Sequence, residues 1–387
     1  MHELVAVYER VVAALNGREL ARAAAVKAPQ PAPGGRLMIF GLGKIAAEMC
    51  EGARGSSDAI IVVPRDAPAP ARALVLRGGH PLPDEGSLQA GEALLAAARA
   101  LKPADAVLLL ISGGGSALVE APRPGLSLDD VRQINLALIR SGAPIEEMNS
   151  VRSHLTRIKG GGLARALHDA GVTRAHALVA VDVPVGGVAA VSSGPAAADK
   201  TTCEDALRLV RKYALPEAAT RMHETLKPGE PADFVEHEAI SDLRSPALQS
   251  GLPLFAELPV RGPMEAFATT LLSTPGSVAA SGELEIAVPA GAPPGGRDQH
   301  FALFIASKLR GQSAAFLAAG TDGRDGPTES AGAFVTGDTW DEAERRGLSP
   351  ARALAEFDAA RVLGALGLLI PARHTGAHAG DLFLLRR

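Results

Sequence analysis

The 387-residue sequence lacks a strong charge of either sign, has only two cysteines and contains no long apolar run. Its formal net charge is −4 and its basic residues are dispersed, which argues against a nucleic-acid-binding surface. Cys50 and Cys203 are isolated, which excludes a disulfide framework and a Cys-based zinc site and suits a reducing compartment. Apolar runs such as residues 106–111 fall well short of the roughly 20 residues of a membrane helix. These absences predict a cytoplasmic globular protein.

The length and the apolar patterning predict two α/β domains. Residues 3–25 place apolar side chains at helical spacing, which predicts one amphipathic helix and not a signal peptide. A cluster of prolines after residue 215 predicts a domain boundary near residue 235, giving domains 1–235 and 236–387. Short apolar runs alternate with alanine-rich helical patterns, which predicts a parallel sheet covered by helices on both faces. The predicted strands of the first domain are 37–40, 59–63, 73–76, 107–111 and 177–181.

A glycine-rich turn follows the first predicted strand at residues 41–44 (GLGK). It matches a dinucleotide fingerprint formally, but no acidic residue ends a strand about 20 residues later to bind a ribose. Lys44 favours a phosphate ligand instead. A tight strand-to-helix turn with a solvated lysine is the alternative.

A second glycine-rich turn follows the predicted strand 107–111, where several backbone N–H groups can converge on one carboxylate or phosphate. Close packing of the backbone is the alternative use of such glycines. The residues of this turn are Ser112, Gly113, Gly114, Gly115 and Ser116.

Three further segments carry candidate ligand contacts. His80 lies in a loop rich in glycine and proline after the third strand. Its imidazole either contacts a ligand or packs within the loop, and the residue type favours packing. Arg152 and Lys159 differ by seven positions, which predicts that both lie on one face of a helix. The glycines that follow favour an anion pocket at this face. The alternative is a charged helix face exposed to solvent. Asp182 follows the strand 177–181 and can hold Mg²⁺, accept a hydroxyl proton or cap the next segment.

The second predicted domain carries an acidic turn at residues 321–328. Asp322 and Asp325 lie on this turn, which glycines and a proline stiffen. Two hard carboxylates this close suit Mg²⁺, although an exposed loop is the alternative. Arg297 precedes a predicted helix and is placed to bind an anion.

The order of these motifs resembles the type II glycerate 2-kinase family, whose carboxyl-terminal unit is the MOFRL domain. The resemblance covers nearly the whole chain. The matching motifs are 41–44 (GLGK), 78–81 (GGHP), 111–117 (ISGGGSA), Asn149 with 151–152 (VR) and 158–161 (IKGG), 182–184 (DVP), 193–195 (SGP), 295–297 (GGR), 320–323 (GTDG) with 325–328 (DGPT), and 374–376 (HTG) with 381–382 (DL).

The resemblance implies a Rossmann-like domain followed by a smaller α/β MOFRL domain with the active site in a cleft between them. It implies ATP-dependent phosphorylation of D-glycerate on its 2-hydroxyl, with ATP and Mg²⁺ as cofactors and a homodimer left open. The implied roles are catalysis for Lys44, Arg297 and Asp182; substrate or phosphate binding for Ser112, Gly113, Gly114, Gly115, Ser116, Asn149, Arg152, Lys159 and His374; and metal binding for Asp322 and Asp325.

The sequence departs from the family pattern after Pro184, at residues 281–284, at Asp298 and His300, and at residues 377–378, where carboxylates or amides are replaced. Three interpretations follow: an active glycerate kinase, a relative acting on another small hydroxy acid, or a binding protein without turnover. Some relatives are called hydroxypyruvate reductases, but the missing ribose-binding acid argues against hydride transfer.

Overall fold

The computed structural model describes residues 3–53, 58–70, 73–289 and 291–387. It divides into two compact units, which we name by their sheets. Gly17–Ile240 form the parallel-sheet unit, and Met1–Asn16 with Ser241–Arg387 form the mixed-sheet unit. None of the helices in the described part of the chain is long and apolar enough to span a membrane.

The N-terminal segment forms two helices, α1 (Glu3–Ala14) and α2 (Gly17–Ala24), so the prediction of one helix over residues 3–25 was wrong. The chain leaves helical structure at Leu15 and Asn16 and re-enters it at Gly17. Glycine is a poor residue for a helix interior, which favours a break at this position. The two helices belong to different units, and α1 lies in the mixed-sheet unit rather than in the first domain, where the sequence had placed it.

The parallel-sheet unit contains the predicted parallel sheet, with strand order β3-β2-β1-β4-β5-β6. The neighbouring strands from β3 to β5 in this order are all paired in parallel. The central strand β4 is apolar and buried along its whole length, as expected when helices cover both faces. The strands are β1 (Leu37–Leu42), β2 (Asp58–Pro64), β3 (Leu74–Gly78), β4 (Ala106–Ile111), β5 (Ala175–Ala180) and β6 (Glu236–Ser241).

The strand order reverses between β1 and β4, which leaves a crevice at their carboxyl ends where α/β proteins usually bind ligands. The loops after β1 and β4 are the two glycine-rich turns, so the topology brings them together. The helices of this unit after α2 are α3 (Ala46–Ala53), α4 (Glu85–Arg99), α5 (Gly115–Leu118), α6 (Leu128–Arg140), α7 (Ile145–His154), α8 (Gly162–Asp169) and α9 (Cys203–Lys212), with short 3₁₀ turns at Ala25–Lys27, Gly187–Ala189, Val191–Ser193 and Glu217–Thr220.

The mixed-sheet unit contains a second sheet with strand order β11-β10-β9-β12-β8-β7. The pair β7 and β8 is parallel, and the other pairs are antiparallel. Its strands are β7 (Val260–Pro263), β8 (Val278–Glu285), β9 (Ala315–Gly320), β10 (Ser330–Thr336), β11 (Leu369–Pro371) and β12 (Asp381–Arg386), and its helices after α1 are α10 (Ser245–Gln249), α11 (Met264–Ser273), α12 (Arg297–Leu309), α13 (Thr339–Arg345), α14 (Pro350–Ala355) and α15 (Ala359–Ala365).

Helix α1 holds the end of strand β9, from which the acidic turn 321–328 emerges. Tyr8 is fully buried, and its hydroxyl donates a hydrogen bond of 2.9 Å to the carbonyl oxygen of Gly320. Asn16 donates to the carbonyl oxygen of Thr375 at 2.8 Å and so also restrains the loop before β12. Helix α1 and the residues after it therefore stabilise the start of the acidic turn and the loop before β12.

We expect Tyr8→Phe to lower the free energy of unfolding by about 0.5–1.5 kcal/mol, because the Gly320 carbonyl oxygen loses the Tyr8 hydroxyl but keeps the N–H of Gly323 as a donor. Tyr8→Ala should cost about 3–5 kcal/mol, since it also leaves a cavity. Urea denaturation measures both changes, with Arg10→Ala, on the exposed face of α1, as the control. Equal stability of Tyr8→Phe and the wild type would show that this bond does not hold the turn.

Candidate functional site

The two glycine-rich turns of the parallel-sheet unit contact each other directly. The Lys44 N–H donates to the Gly113 carbonyl oxygen at 2.9 Å, and the Ile45 N–H donates to the hydroxyl oxygen of Ser112 at 3.2 Å. A Cβ atom on Gly43, whose φ is +125°, would lie 2.2 Å from that hydroxyl oxygen. Glycine at position 43 therefore permits the contact, and Ser112 joins the two turns.

A third loop, which follows β5, closes against the same turns. The Ser192 hydroxyl donates to the Ser112 carbonyl oxygen at 2.7 Å. The hydroxyl oxygens of Ser193 and Ser116 lie 2.7 Å apart, and the Ser193 hydroxyl donates to the Asn149 side-chain oxygen at 3.0 Å. Ser192 and Ser193 have φ values of 54° and 57°, a strained conformation that occurs often at functional sites.

These loops, with helices α6 and α7, surround a cavity of about 240 Å³. Six of the predicted site residues line it, so the structure brings together residues that lie up to 69 positions apart in the chain. The predicted residues that line the cavity are Gly113, Gly114, Ser116, Asn149, Arg152 and Asp182.

Arg152 and Asp182 give the cavity one cationic and one anionic wall. Arg152 donates from Nε to the side-chain oxygen of Asn135 at 2.6 Å, which fixes the direction of its guanidinium. Burial lowers the pKa of Arg152, but an arginine stays charged at any physiological pH. A small carboxylic acid with a hydroxyl group is the kind of ligand that such walls can orient.

Lys44 and His80 lie beside Gly114; His80 lines the cavity, whereas Lys44 is not one of its lining residues. A Cβ atom on Gly114 would lie 3.1 Å from Cγ of Lys44 and 3.4 Å from Cδ2 of His80. Burial, with a smaller contribution from Lys44, lowers the pKa of His80, so its imidazole is neutral near pH 7. The sequence favoured a packing role for His80, whereas the structure places this residue in the cavity wall.

Lys159 does not share a helical face with Arg152, and that prediction was wrong. Helix α7 ends at His154, so the seven-residue spacing does not continue on a helix. The Lys159 ammonium is buried in an ion pair with the buried carboxylate of Glu120. A buried pair of this kind explains the lysine without a ligand. Ser112 and Gly115 likewise contact the neighbouring loops rather than the cavity.

Asp325 anchors the start of α12 in the mixed-sheet unit. Its carboxylate accepts the N–H groups of Asp298 at 3.1 Å and Gln299 at 2.8 Å. A Cβ atom on Gly296 would lie 2.0 Å from one of the carboxylate oxygens. The acidic turn and the GGR motif are therefore packed against each other, and glycine is required at the contact.

Arg297 begins α12 as expected and is surrounded by carboxylates. Its guanidinium lies 2.8 Å from Asp381 and 3.1 Å from Glu283. Burial raises the pKa of Asp381 to about 7 and that of Asp298 well above its usual range, although Arg297 lowers both. One side-chain oxygen of Asp298 is buried and has no hydrogen-bond partner. This excess of buried carboxylates over guanidinium groups makes the region attractive to a cation.

The two remaining predicted residues of this unit lie on loops. Asp322 follows β9 and accepts the N–H of Arg324 at 3.0 Å. His374 is exposed in the loop between β11 and β12. In the part of the chain that the structure describes, the only group of three possible metal ligands that converges is elsewhere, at His154, Cys203 and Glu224. Metal binding by Asp322 and Asp325 stays a prediction.

Several residues of the two regions were not predicted as site residues from the sequence. Ser193 and Asp381 belong to the motifs of the family resemblance, which was the available signal for them. Asn135 lies in an ordinary amphipathic helix, and only the fold shows that it orients Arg152.

Comparison with known proteins gives matches along most of the chain. The family model described as a domain of unknown function, DUF4147, matches residues 3–227, and the MOFRL family model matches residues 277–381. A protein of Agrobacterium vitis with a hydroxypyruvate reductase name is 34% identical, over 90% of this chain and 87% of that protein. A glycerate 2-kinase of Pyrococcus horikoshii is 31% identical, over 90% and 87% of the two chains.

A solved structure shares the whole fold. The crystal structure of a glycerate kinase from Thermotoga maritima has a TM-score of 0.87 and 28% identity, and the match covers 99% of this chain and 98% of that one. The family resemblance that the sequence motifs indicated is therefore confirmed, as is the α/β fold class.

We expect Gly296→Ala to lower the free energy of unfolding by about 1–3 kcal/mol, because the new methyl group would overlap the Asp325 carboxylate. Gly295→Ala is the matched control, since a Cβ atom there would meet its nearest neighbour at 3.2 Å. Urea denaturation of both variants gives the comparison. If they are equally stable, Asp325 does not hold α12 in the way described.

Proposed function

This chain belongs to the glycerate kinase family with a carboxyl-terminal MOFRL domain, and we propose that it phosphorylates D-glycerate on the 2-hydroxyl group to give 2-phosphoglycerate. ATP is the proposed phosphoryl donor. The Pyrococcus and Thermotoga proteins named above support this assignment through their similarity over nearly the whole chain.

The observation that carries the proposal is the composition of the cavity in the parallel-sheet unit. Arg152 supplies a permanent positive charge, Asn149 supplies an amide and Asp182 supplies a carboxylate, all in about 240 Å³. That volume is below the 300–1,000 Å³ typical of drug-sized ligands and suits a short hydroxy acid. We assign the substrate carboxylate to Arg152 and Asn149, with the N–H groups of Gly113 and Gly114 beside it.

The reacting hydroxyl is assigned to Asp182 and the transferred phosphoryl group to Lys44. Phosphoryl transfer depends mostly on alignment and on charge neutralisation, so an acceptor carboxylate and a lysine near one hydroxyl are suitable groups. The neutral His80 imidazole lies beside Gly114, as Lys44 does, and adds no positive charge of its own to this region.

The mixed-sheet unit carries groups that fit Mg²⁺. Mg²⁺ takes oxygen ligands and is usually held by one or two carboxylates together with waters and substrate phosphates. One oxygen of Asp298 is buried without a hydrogen-bond partner, and burial together with neighbouring carboxylates raises the pKa of this residue. A bound cation would favour the ionised carboxylates. We propose Asp322 and Asp325 as its ligands and Arg297 as a phosphate contact; the ion would neutralise charge on the phosphates.

Two other functions remain as alternatives. The replaced carboxylates and amides, including Asp298 and His300 where the family has other side chains, are consistent with a different small hydroxy acid or with binding alone. The hydroxypyruvate reductase name of the Agrobacterium relative would require NAD(P)H oxidation with hydroxypyruvate. ADP release measured in a coupled assay with D-glycerate and Mg·ATP distinguishes the glycerate kinase from these alternatives. Binding of D-glycerate without product formation would indicate a protein that binds the ligand without turnover.

We expect Lys44→Ala to lower kcat/KM for D-glycerate by about 10²–10³-fold, because the charge on the transferred group loses its neutralising partner. The free energy of unfolding should change little. Coupled ADP release measures the rate, and Lys200→Ala, at an exposed position, is the control. Wild-type turnover in Lys44→Ala would remove Lys44 from the mechanism.

We expect Asp182→Asn to lower kcat by about 10²–10⁴-fold while KM for D-glycerate changes little, because the amide keeps the shape but cannot accept the hydroxyl proton. The same assay gives both constants. A raised KM at unchanged kcat would instead assign Asp182 to substrate binding.

A further inference from the structure

A second site lies in the parallel-sheet unit at the junction of α7, α9 and the segment after the 3₁₀ turn Glu217–Thr220. The possible ligand atoms of His154, Cys203 and Glu224 all lie within 4.8 Å of one another. His154 is the last residue of α7, and its side chain is fully buried. Cys203 is the first residue of α9, which the Thr202 side chain caps through the Asp205 N–H. Each ligand thus comes from a different part of the chain.

The hydrogen bonds of His154 fix which ring nitrogen is available. Nδ1 lies 2.7 Å from the Ser150 carbonyl oxygen, and because a carbonyl only accepts, Nδ1 carries the proton and donates. Nε2 then faces a Glu224 carboxylate oxygen at 3.2 Å, and a carboxylate also only accepts. In this tautomer both atoms are electron-pair donors, so a metal ion could bind between them. A donor bond from the second ring nitrogen to a carbonyl is the usual support of a metal-binding histidine.

The spacing of the nitrogen and oxygen ligands suits zinc. Zinc bonds of about 2.0–2.1 Å to nitrogen and oxygen in a tetrahedron place those two atoms about 3.3 Å apart, close to the 3.2 Å seen here. The thiol of Cys203 supplies the soft third ligand. Burial and Glu224 raise the pKa of this thiol, so without a metal it stays protonated, whereas a bound Zn²⁺ would displace the proton.

Lys227 is the cation that competes for Glu224. Its ammonium lies 2.6 Å from the carboxylate, but it also donates to the Thr225 hydroxyl at 2.6 Å and to the Thr201 carbonyl oxygen. Those two acceptors can keep the ammonium in place when the carboxylate turns toward a metal. Arg123 adds a more distant positive charge near Cys203 and disfavours a cation modestly.

We propose that His154, Cys203 and Glu224 bind one Zn²⁺ ion, with water as the fourth ligand, and that the ion ties the end of α7 to the start of α9. Helix α7 carries Asn149 and Arg152, so the metal would stiffen one wall of the cavity. The sequence argument against a Cys-based zinc site assumed ligands close together in the chain. Here Cys203 and Glu224 are 21 residues apart, and His154 and Glu224 are 70 apart.

Cobalt titration of the metal-free full-length protein tests the site, because a Co²⁺–thiolate bond gives a charge-transfer absorption band. We expect the band to saturate at one equivalent of Co²⁺ and to be lost when one equivalent of Zn²⁺ is added. Cys203→Ser should abolish the band, and Cys50→Ser, at the other cysteine, should keep it. Glu224→Gln should weaken Zn²⁺ affinity at least tenfold, a change measured by competition with a chromophoric chelator.

The result that overturns the proposal is a wild-type protein without the band and without stoichiometric Zn²⁺ binding. The contact between His154 and Glu224 would then have no metal-binding role. A Cys203→Ser variant that retains the band would equally reject the site. Because the readouts are metal binding and absorption, their outcome is independent of whether D-glycerate is the substrate.

Discussion

The close contact of three loops at the carboxyl edge of the parallel sheet is the constraint on which the candidate site depends. Ser112 lies at the centre of this contact. The Ser112 hydroxyl oxygen accepts a hydrogen bond from the Ile45 N–H in the loop after β1, and the Ser112 carbonyl oxygen accepts one from the Ser192 hydroxyl. The contact is possible only because Gly43 has no side chain. Without it, the Gly113 and Gly114 backbone would not face Arg152 and Asp182 across one cavity.

The mixed-sheet unit depends on a balance of buried charge. Asp298, Asp325 and Asp381 are nearly inaccessible to solvent, and a single guanidinium, that of Arg297, lies among them. Desolvation disfavours the ionised carboxylates, so the region is stabilised by protons or by a cation. Backbone donors from α12 satisfy Asp325, whereas Asp298 retains a buried oxygen without a hydrogen-bond partner. A site that binds Mg²⁺ together with phosphate would have these properties.

The sequence predicted strands β1 to β5 because short apolar runs mark them, most clearly in the fully buried β4 and β5. It missed β6, whose residues are mostly polar and only partly buried. Six of the residues that it predicted as site residues line one cavity: Gly113, Gly114, Ser116, Asn149, Arg152 and Asp182. Contacts that depend on where the chain turns were not predictable. Lys159 seemed continuous with Arg152 only while α7 was assumed to extend past His154. The grouping of His154, Cys203 and Glu224 has no local signature, because each residue lies in a different element.

The most direct test of the account is a crystal structure of the wild-type protein with D-glycerate bound. The account predicts the substrate carboxylate within hydrogen-bond distance of Arg152 or Asn149 and the 2-hydroxyl directed toward Asp182. D-glycerate bound outside this cavity, in a protein that phosphorylates it, would contradict the central claim.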